Sequence, residues 1–152
     1  MIRALTPADH EGLADLMEEM QAHYQVPCPP RAAILSGLER RPEGTEILIA
    51  VEERVIGFAS YSAIYPGPGL IPGYFLKEIY VAASHRGRGV GKALIMEMAK
   101  RATARGYGRI DWTADRDDPK LLDLYRGLGA VEQPKKVFFR LAGDALRRMG
   151  EG

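Results

Sequence analysis

The sequence predicts an α/β fold, a mixed sheet with helices packed on both of its faces. Three observations carry that expectation. Runs rich in β-branched and aromatic residues alternate along the chain with segments whose apolar residues recur at helical spacing. Two of the strand-like runs are joined by a tight charged connection, the mark of an antiparallel hairpin. A hydrophobic fraction of 46% in 152 residues is enough to bury one sizeable core, so a single domain over residues 1–152 is expected.

Taken in order, IRAL opens as a short strand, and TPAD then starts a helix with Thr6 as N-cap, Pro7 at the first helical position and Asp9 at the third. Leu13, Leu16, Met17, Met20 and Tyr24 mark its buried face. VPCPP breaks that helix, and RAAILSGLERR forms a second, shorter one with Ile34, Leu35 and Leu38 as apolar positions. TEILIAVEERVIGFASYSAIY is the hairpin, turning at Glu52, Glu53 and Arg54. An irregular loop, PGPGLIPG, leads to the strand GYFLKEIYVAA and the turn SHRGRGVG. The helix VGKALIMEMAKRATARG follows, with Gly91, Leu94, Ile95, Met98 and Ala102 on one face and Gly106 at its end. RIDWTA is read as a strand, DPKLLDLYRGLG as a helix and KKVFFRLAG as a final strand before a polar tail that continues as a helix.

Bulk properties exclude several function classes. With 21 Lys and Arg against 20 Asp and Glu, the net charge is +1, and no basic stretch is interleaved with aromatics; nucleic acid is not an expected partner. No segment approaches the roughly 18 apolar residues of a membrane span, and MIRALTPADHEGL has no apolar stretch of signal-peptide length. The lone Cys28 permits no internal disulfide and no cysteine-based metal site, so we expect a cytoplasmic protein without membrane or metal.

Function is concentrated at SHRGRGVGKAL. Gly87, Gly89 and Gly91 alternate with Arg86, Arg88 and Lys92 directly before a helix. The first four backbone N–H groups of a helix lack internal partners, and a turn without side chains lets an anion approach them closely. This is not a P-loop: G-x4-G-K-[ST] requires glycine at Arg86 and Ser or Thr at Ala93. Nor is it G-x-G-x-x-G, which requires glycine at Lys92 or Leu94. A solvated connecting turn is the plain alternative for any single glycine.

Arg86-Gly87-Arg88-Gly89-Val90-Gly91 resembles the Q/R-x-x-G-x-G/A signature of the GNAT N-acetyltransferase superfamily, and FLKEIYV before it and LYRGLGA after it resemble that family in order and spacing. The resemblance implies a central mixed, mostly antiparallel sheet flanked by helices on both faces. It also implies a single N-acetyltransferase domain, acetyl-CoA as co-substrate with its pyrophosphate at residues 86–92, and a homodimer. Ile79, Tyr80 and Val81 are then expected beside the pantetheine arm, bonding through their main chain, although Ile79 and Val81 also suit a plain core strand.

The implied reaction moves the acetyl group to a primary amine of a small molecule, polyamine or amino-acid-like, by direct attack. A peptide amine, or an acyl-CoA sensor without turnover, is the alternative. An alkylamine is neutral only about four times in ten thousand at pH 7, so a base is required. Many relatives carry an acidic pair before the signature; this chain has Lys77-Glu78, leaving Glu78 as base, or else as an ion-pair partner. Tyr125 matches the tyrosine that in many relatives protonates the departing thiolate, while Leu121, Tyr125 and Leu128 also form an ordinary helical stripe. Asp118 stands where relatives often place a cofactor-contacting asparagine. Tyr24, Pro27 and Cys28, in the break between the first two helices, are expected on the acceptor wall by topology, with Glu78 facing the same substrate.

Overall fold

The computed structural model describes residues 1–152, which divide into two compact units, Met1–Thr113 and Ala114–Gly152. The first contains β1 (Ile2–Ala4), α1 (His10–His23), α2 (Arg31–Glu39), β2 (Thr45–Val51), β3 (Val55–Ile64), β4 (Gly73–Val81), α3 (Val90–Ala104) and β5 (Ile110–Asp111). The five strands form one sheet in sequence order, antiparallel from β1 to β4 and parallel between β4 and β5. The mixed, mostly antiparallel sheet expected from the sequence is therefore present.

Both faces of the sheet are covered, which is why β2 reads as the nearly continuous apolar run TEILIAV instead of a strict alternation. On one face Ile47 and Ile49 meet Leu13 and Leu16 of α1, Leu38 of α2, and Phe58 and Tyr80. Leu48 points the other way and is fully buried, on the side where α3 packs across the central strands through its stripe of Leu94, Ile95 and Met98. Asp9 closes the start of α1: its carboxylate accepts from the Thr6 N–H at 2.8 Å and pairs with Arg3 at 2.7 Å, and that pairing holds its carboxyl well below the usual carboxylate range. Arg31, opening α2, bonds Glu11, Asp15 and Glu18 of α1 and so fixes the two helices side by side.

Two local features of the sheet place the later chemistry. Ser60 stands opposite Glu78 and Tyr61 opposite Leu76, so Lys77 is an extra residue bulging from β4. Gly57, paired with Val81, has no side chain because α3 comes too close: a Cβ there would lie 3.1 Å from Val90 Cγ1 and 3.3 Å from the Tyr80 carbonyl.

The second unit holds α4 (Pro119–Gly127) and α5 (Gly143–Glu151), the polar tail continuing as a helix as expected. Asp118 caps α4, its Oδ1 accepting from Leu121 N at 3.2 Å. Two strand expectations need correction. The strand expected over RIDWTA is only Ile110–Asp111, and KKVFFRLAG forms no strand at all. Its β-branched and aromatic composition suits a strand, but strand propensity is weak until pairing decides it, and this segment pairs with no strand. Here Val137, Phe138, Phe139 and Leu141 remain exposed.

Candidate functional site

The turn before α3 has the form its glycines require. Gly87 and Gly89 sit at φ 76° and 81°, in the left-handed region, and no atom lies within 4 Å of the place a Cβ would occupy on either. Gly89 is the N-cap of α3, no side chain caps the helix, and its first turn carries no acid. After Arg86, whose N–H reaches the Ala83 carbonyl at 3.5 Å, the next amide to find a backbone acceptor is Ala93, bonded to the Gly89 carbonyl at 2.9 Å; the N–H groups of residues 87–92 between them have no acceptor within the chain. A row of free donors at a helix N-terminus attracts an anion. Arg88 and Lys92 are exposed and make no salt bridge.

Arg86 behaves differently from the other two cations. Its Nε donates to the Val81 carbonyl at 3.1 Å and its guanidinium lies 5.2 Å from the centre of the Tyr80 ring, so it folds back as a latch on the end of β4. Further ties hold the same corner. The Ala82 N–H bonds the Ile56 carbonyl at 2.8 Å, Arg54 of the β2–β3 turn donates to Ser84 Oγ at 3.1 Å, and Glu52 lies 3.3 Å from His85. On α1, Glu19 Oε2 accepts from both the Tyr80 hydroxyl at 2.7 Å and the Ala83 N–H at 3.1 Å. Burial and the Glu19 hydrogen bond push the Tyr80 hydroxyl up to about 12.

Beside this turn the sheet opens. β4 pairs with β5 only at Tyr74–Ile110 and Phe75–Asp111, so the β5-facing edge of β4 has no strand partner from Leu76 to Val81. Ile79, Tyr80 and Val81 thus line an edge able to accept an extended ligand by strand-like bonding. Tyr80 differs in having a buried side chain, on the α1 face, between Arg86 and the rings of His23 and Tyr24.

Glu78 alternates to the same face as Tyr80, opposite to Ile79 and Val81, as its position in the strand predicted. It is half-buried, and burial raises its pKa, only partly offset by the Lys77 charge and a hydrogen bond from the Ile79 N–H. It makes no salt bridge, so the ion-pair alternative is not realised. Its cross-strand partner Ser60 lines a cleft of about 330 Å³ between α1, α2 and the sheet, walled by Met17, Met20, Ile34, Leu38 and Ile47 with Gln21 and Arg41 as polar members. No three His, Cys, Asp or Glu side chains come together as a metal-ligand set.

Neither Tyr24 nor Cys28 lines this cleft. Tyr24 is 49% exposed and packs edge-on against His23, and Cys28 is exposed with its Sγ donating to the Pro29 carbonyl. Of the residues past the end of α1, Pro29 lines the cleft, while the Tyr24 ring packs against Tyr80 of β4 at 6.3 Å between centroids. Tyr125 lies on the buried side of α4, with Asp118 at the head of that helix. Sequence reasoning singled out neither Glu19 nor Ser60. Glu19 borders the apolar stripe of α1, a weak signal, and Ser60 becomes informative only once the strand register is known.

The acetyltransferase (GNAT) family model matches residues 11–130. Among curated proteins, the chain is 30% identical over 93 residues to an L-ornithine N5-acetyltransferase of Arabidopsis thaliana, covering 61% of this chain and 41% of that protein. It is also 30% identical over 103 residues to the thialysine N-epsilon-acetyltransferase of Mus musculus, covering 62% and 57%. The chain thus spans about half the length of these relatives. Among solved structures, an integron cassette protein from the mobile metagenome of V. cholerae superposes with a TM-score of 0.92 at 26% identity, covering 100% of this chain and 98% of that one. With a family match that runs from the first turn of α1 past the end of α4, the chain belongs to the GNAT family of acetyltransferases.

Proposed function

We propose that this protein transfers the acetyl group of acetyl-CoA to a primary amine of a small, amino-acid-like or polyamine acceptor. The carrying observation is the run of amide donors at residues 87–92, free within the chain and opening onto empty space at Gly87 and Gly89. These residues fit a pyrophosphate: a nest of N–H groups, a helix N-terminus and the cations Arg88 and Lys92. The unpaired edge at Ile79, Tyr80 and Val81 fits an amide-bearing arm. Acetyl-CoA supplies an acyl group already activated as a thioester.

The chain's own residues then have three tasks. The cleft walled by Met17, Met20 and Ile34 holds the methylene stem of the acceptor; relatives named for ornithine, thialysine and 2,4-diaminobutyric acid support an amine on a short aliphatic stem. Glu78 takes a proton from the acceptor ammonium, directly or through one water, so that the neutral amine can attack the thioester carbonyl, its burial raising its basicity toward the working pH. Tyr125 gives a proton to the departing sulfur. Direct attack needs no nucleophile on the protein, and exposed Cys28 is not recruited.

We read residues 1–152 as one catalytic domain, since the family match crosses the boundary between the two units. We also read the protein as a cytoplasmic homodimer. No helix is long and apolar enough to cross a membrane, and the C-terminal unit exposes Val137 at 74% and Phe139 at 88%, with Phe138 and Leu141 beside them. Calorimetric titration with acetyl-CoA tests the central reading. Micromolar binding by the wild type that is lost in Gly89→Glu supports it and warrants an amine screen. No binding by the wild type overturns it.

A further inference from the structure

The glutamate on α1 is unused by the chemistry above, yet it reaches the start of the cofactor turn. A single oxygen, Glu19 Oε2, accepts from the Tyr80 hydroxyl and from the Ala83 N–H. These two donors bracket the end of β4 and the first residue of the turn. Tyr80 is buried, its ring lies under the Arg86 guanidinium, and Arg86 returns to the Val81 carbonyl. Glu19 therefore closes a ring of contacts through which α1, β4 and the glycine turn hold one relative position.

Electrostatics alone would argue against a carboxylate here. A turn that receives a pyrophosphate gains nothing from a negative charge nearby, and such a charge weakens anion binding through space. Burial also opposes ionisation of Glu19, but the Tyr80 and Ala83 hydrogen bonds and the charges of Arg54 and Arg86 outweigh it and keep its pKa below the ordinary value. An ionised group that lies against its cofactor's charge is retained for the geometry it imposes, since a hydrogen bond to a carboxylate is shorter and stronger than one to a neutral acceptor.

We propose that Glu19 is a positioning residue for acetyl-CoA, setting the turn at residues 82–89 against the end of β4 through Ala83 and Tyr80. The proposal rests on the acetyl-CoA reading of that turn. It adds a coupling that reading does not contain, because Met17, Met20 and Gln21 of the same helix wall the acceptor cleft. The helix touches both substrates' sites, with Glu19 as its contact on the cofactor side.

The two views of Glu19 predict opposite signs. If it acts by position, Glu19→Ala raises the calorimetric Kd and the KM for acetyl-CoA about tenfold, the scale of losing a charge-assisted hydrogen bond, with kcat at saturation nearly unchanged. Glu19→Gln, whose amide oxygen can accept both bonds, recovers most of that loss, and Tyr80→Phe, which removes one donor, falls between. Unchanged or tighter binding in Glu19→Ala overturns the proposal, as does an equal loss in Glu19→Gln. Should Glu19→Ala fail to fold, the Gln and Phe variants decide by the same ordering. A wild type that binds no acetyl-CoA overturns the cofactor reading itself and takes this inference with it; a wild type that binds alongside an indifferent Glu19→Ala overturns only the inference.

Discussion

Ser60 and Glu78 face each other across β3 and β4 at the last rung before the bulge, the serine lining the cleft under α1 and α2 and the glutamate half-buried. The bulge at Lys77 sets this pairing: with one residue fewer in β4, the residues on one side of that point would exchange faces. Lys77 at the bulge is exposed, and its charge partly offsets the rise that burial gives the Glu78 pKa.

Glu78→Gln is expected to lower kcat/KM about 10²–10⁴-fold, the usual range for a lost general base. In the wild type the rate rises with pH as Glu78 ionises, above the ordinary glutamate value because burial raises its pKa, and this limb disappears in the variant. Stability moves the other way. A raised folded pKa means the folded state holds its proton longer than the unfolded chain. The contribution is present below the unfolded pKa and is lost as pH climbs through the folded one. Glu78→Gln should therefore melt at or above the wild-type Tm at pH 7. A profile that keeps its acid limb would remove Glu78 from the mechanism.

Tyr125→Phe should lower kcat by no more than about 10²–10⁴-fold, because a thiolate with a conjugate-acid pKa near 8.5 is already a tolerable leaving group. Acetyl-CoA affinity measured by calorimetry should stay within about twofold. An unchanged kcat assigns Tyr125 to packing alone, as its buried position on α4 would also allow.

Gly57→Ala tests the close approach of α3 to the sheet. The new methyl would sit 3.1 Å from Val90 and 3.3 Å from the Tyr80 carbonyl, tighter than ordinary van der Waals contact, and overpacking of this kind costs about 1–3 kcal/mol. Because Val90 is the first residue of α3, acetyl-CoA affinity should fall together with Tm. Loss of Tm at full affinity would show that the helix start tolerates the displacement.

The exposed C-terminal run predicts the oligomeric state. Sedimentation should show a dimer for the wild type and a monomer for a Val137→Asp, Phe139→Asp double variant, since both side chains are largely exposed in the single chain and free to pack against a second copy. A monomeric wild type would refute the dimer.

What the sequence determined by itself is local. The order of strands and helices up to β5 follows from apolar periodicity, and the open shape of the turn follows from Gly87, Gly89 and an uncapped helix start, which depend on backbone geometry within a few residues. Glu78 and the face it occupies were legible because strand alternation has a period of two. Tertiary structure decided what depends on distant pairing. It parted β4 from β5 after Phe75, joined Glu19 to Tyr80 across 61 positions, and tied Arg86 back to the Val81 carbonyl. It also gathered Met17, Met20, Pro29 and Ile34 around one cleft and set Tyr24 against Tyr80 instead. KKVFFRLAG shows why these were out of reach: a segment carries its own propensity, but a strand exists only when another strand offers it an edge, and that edge is a property of the folded assembly.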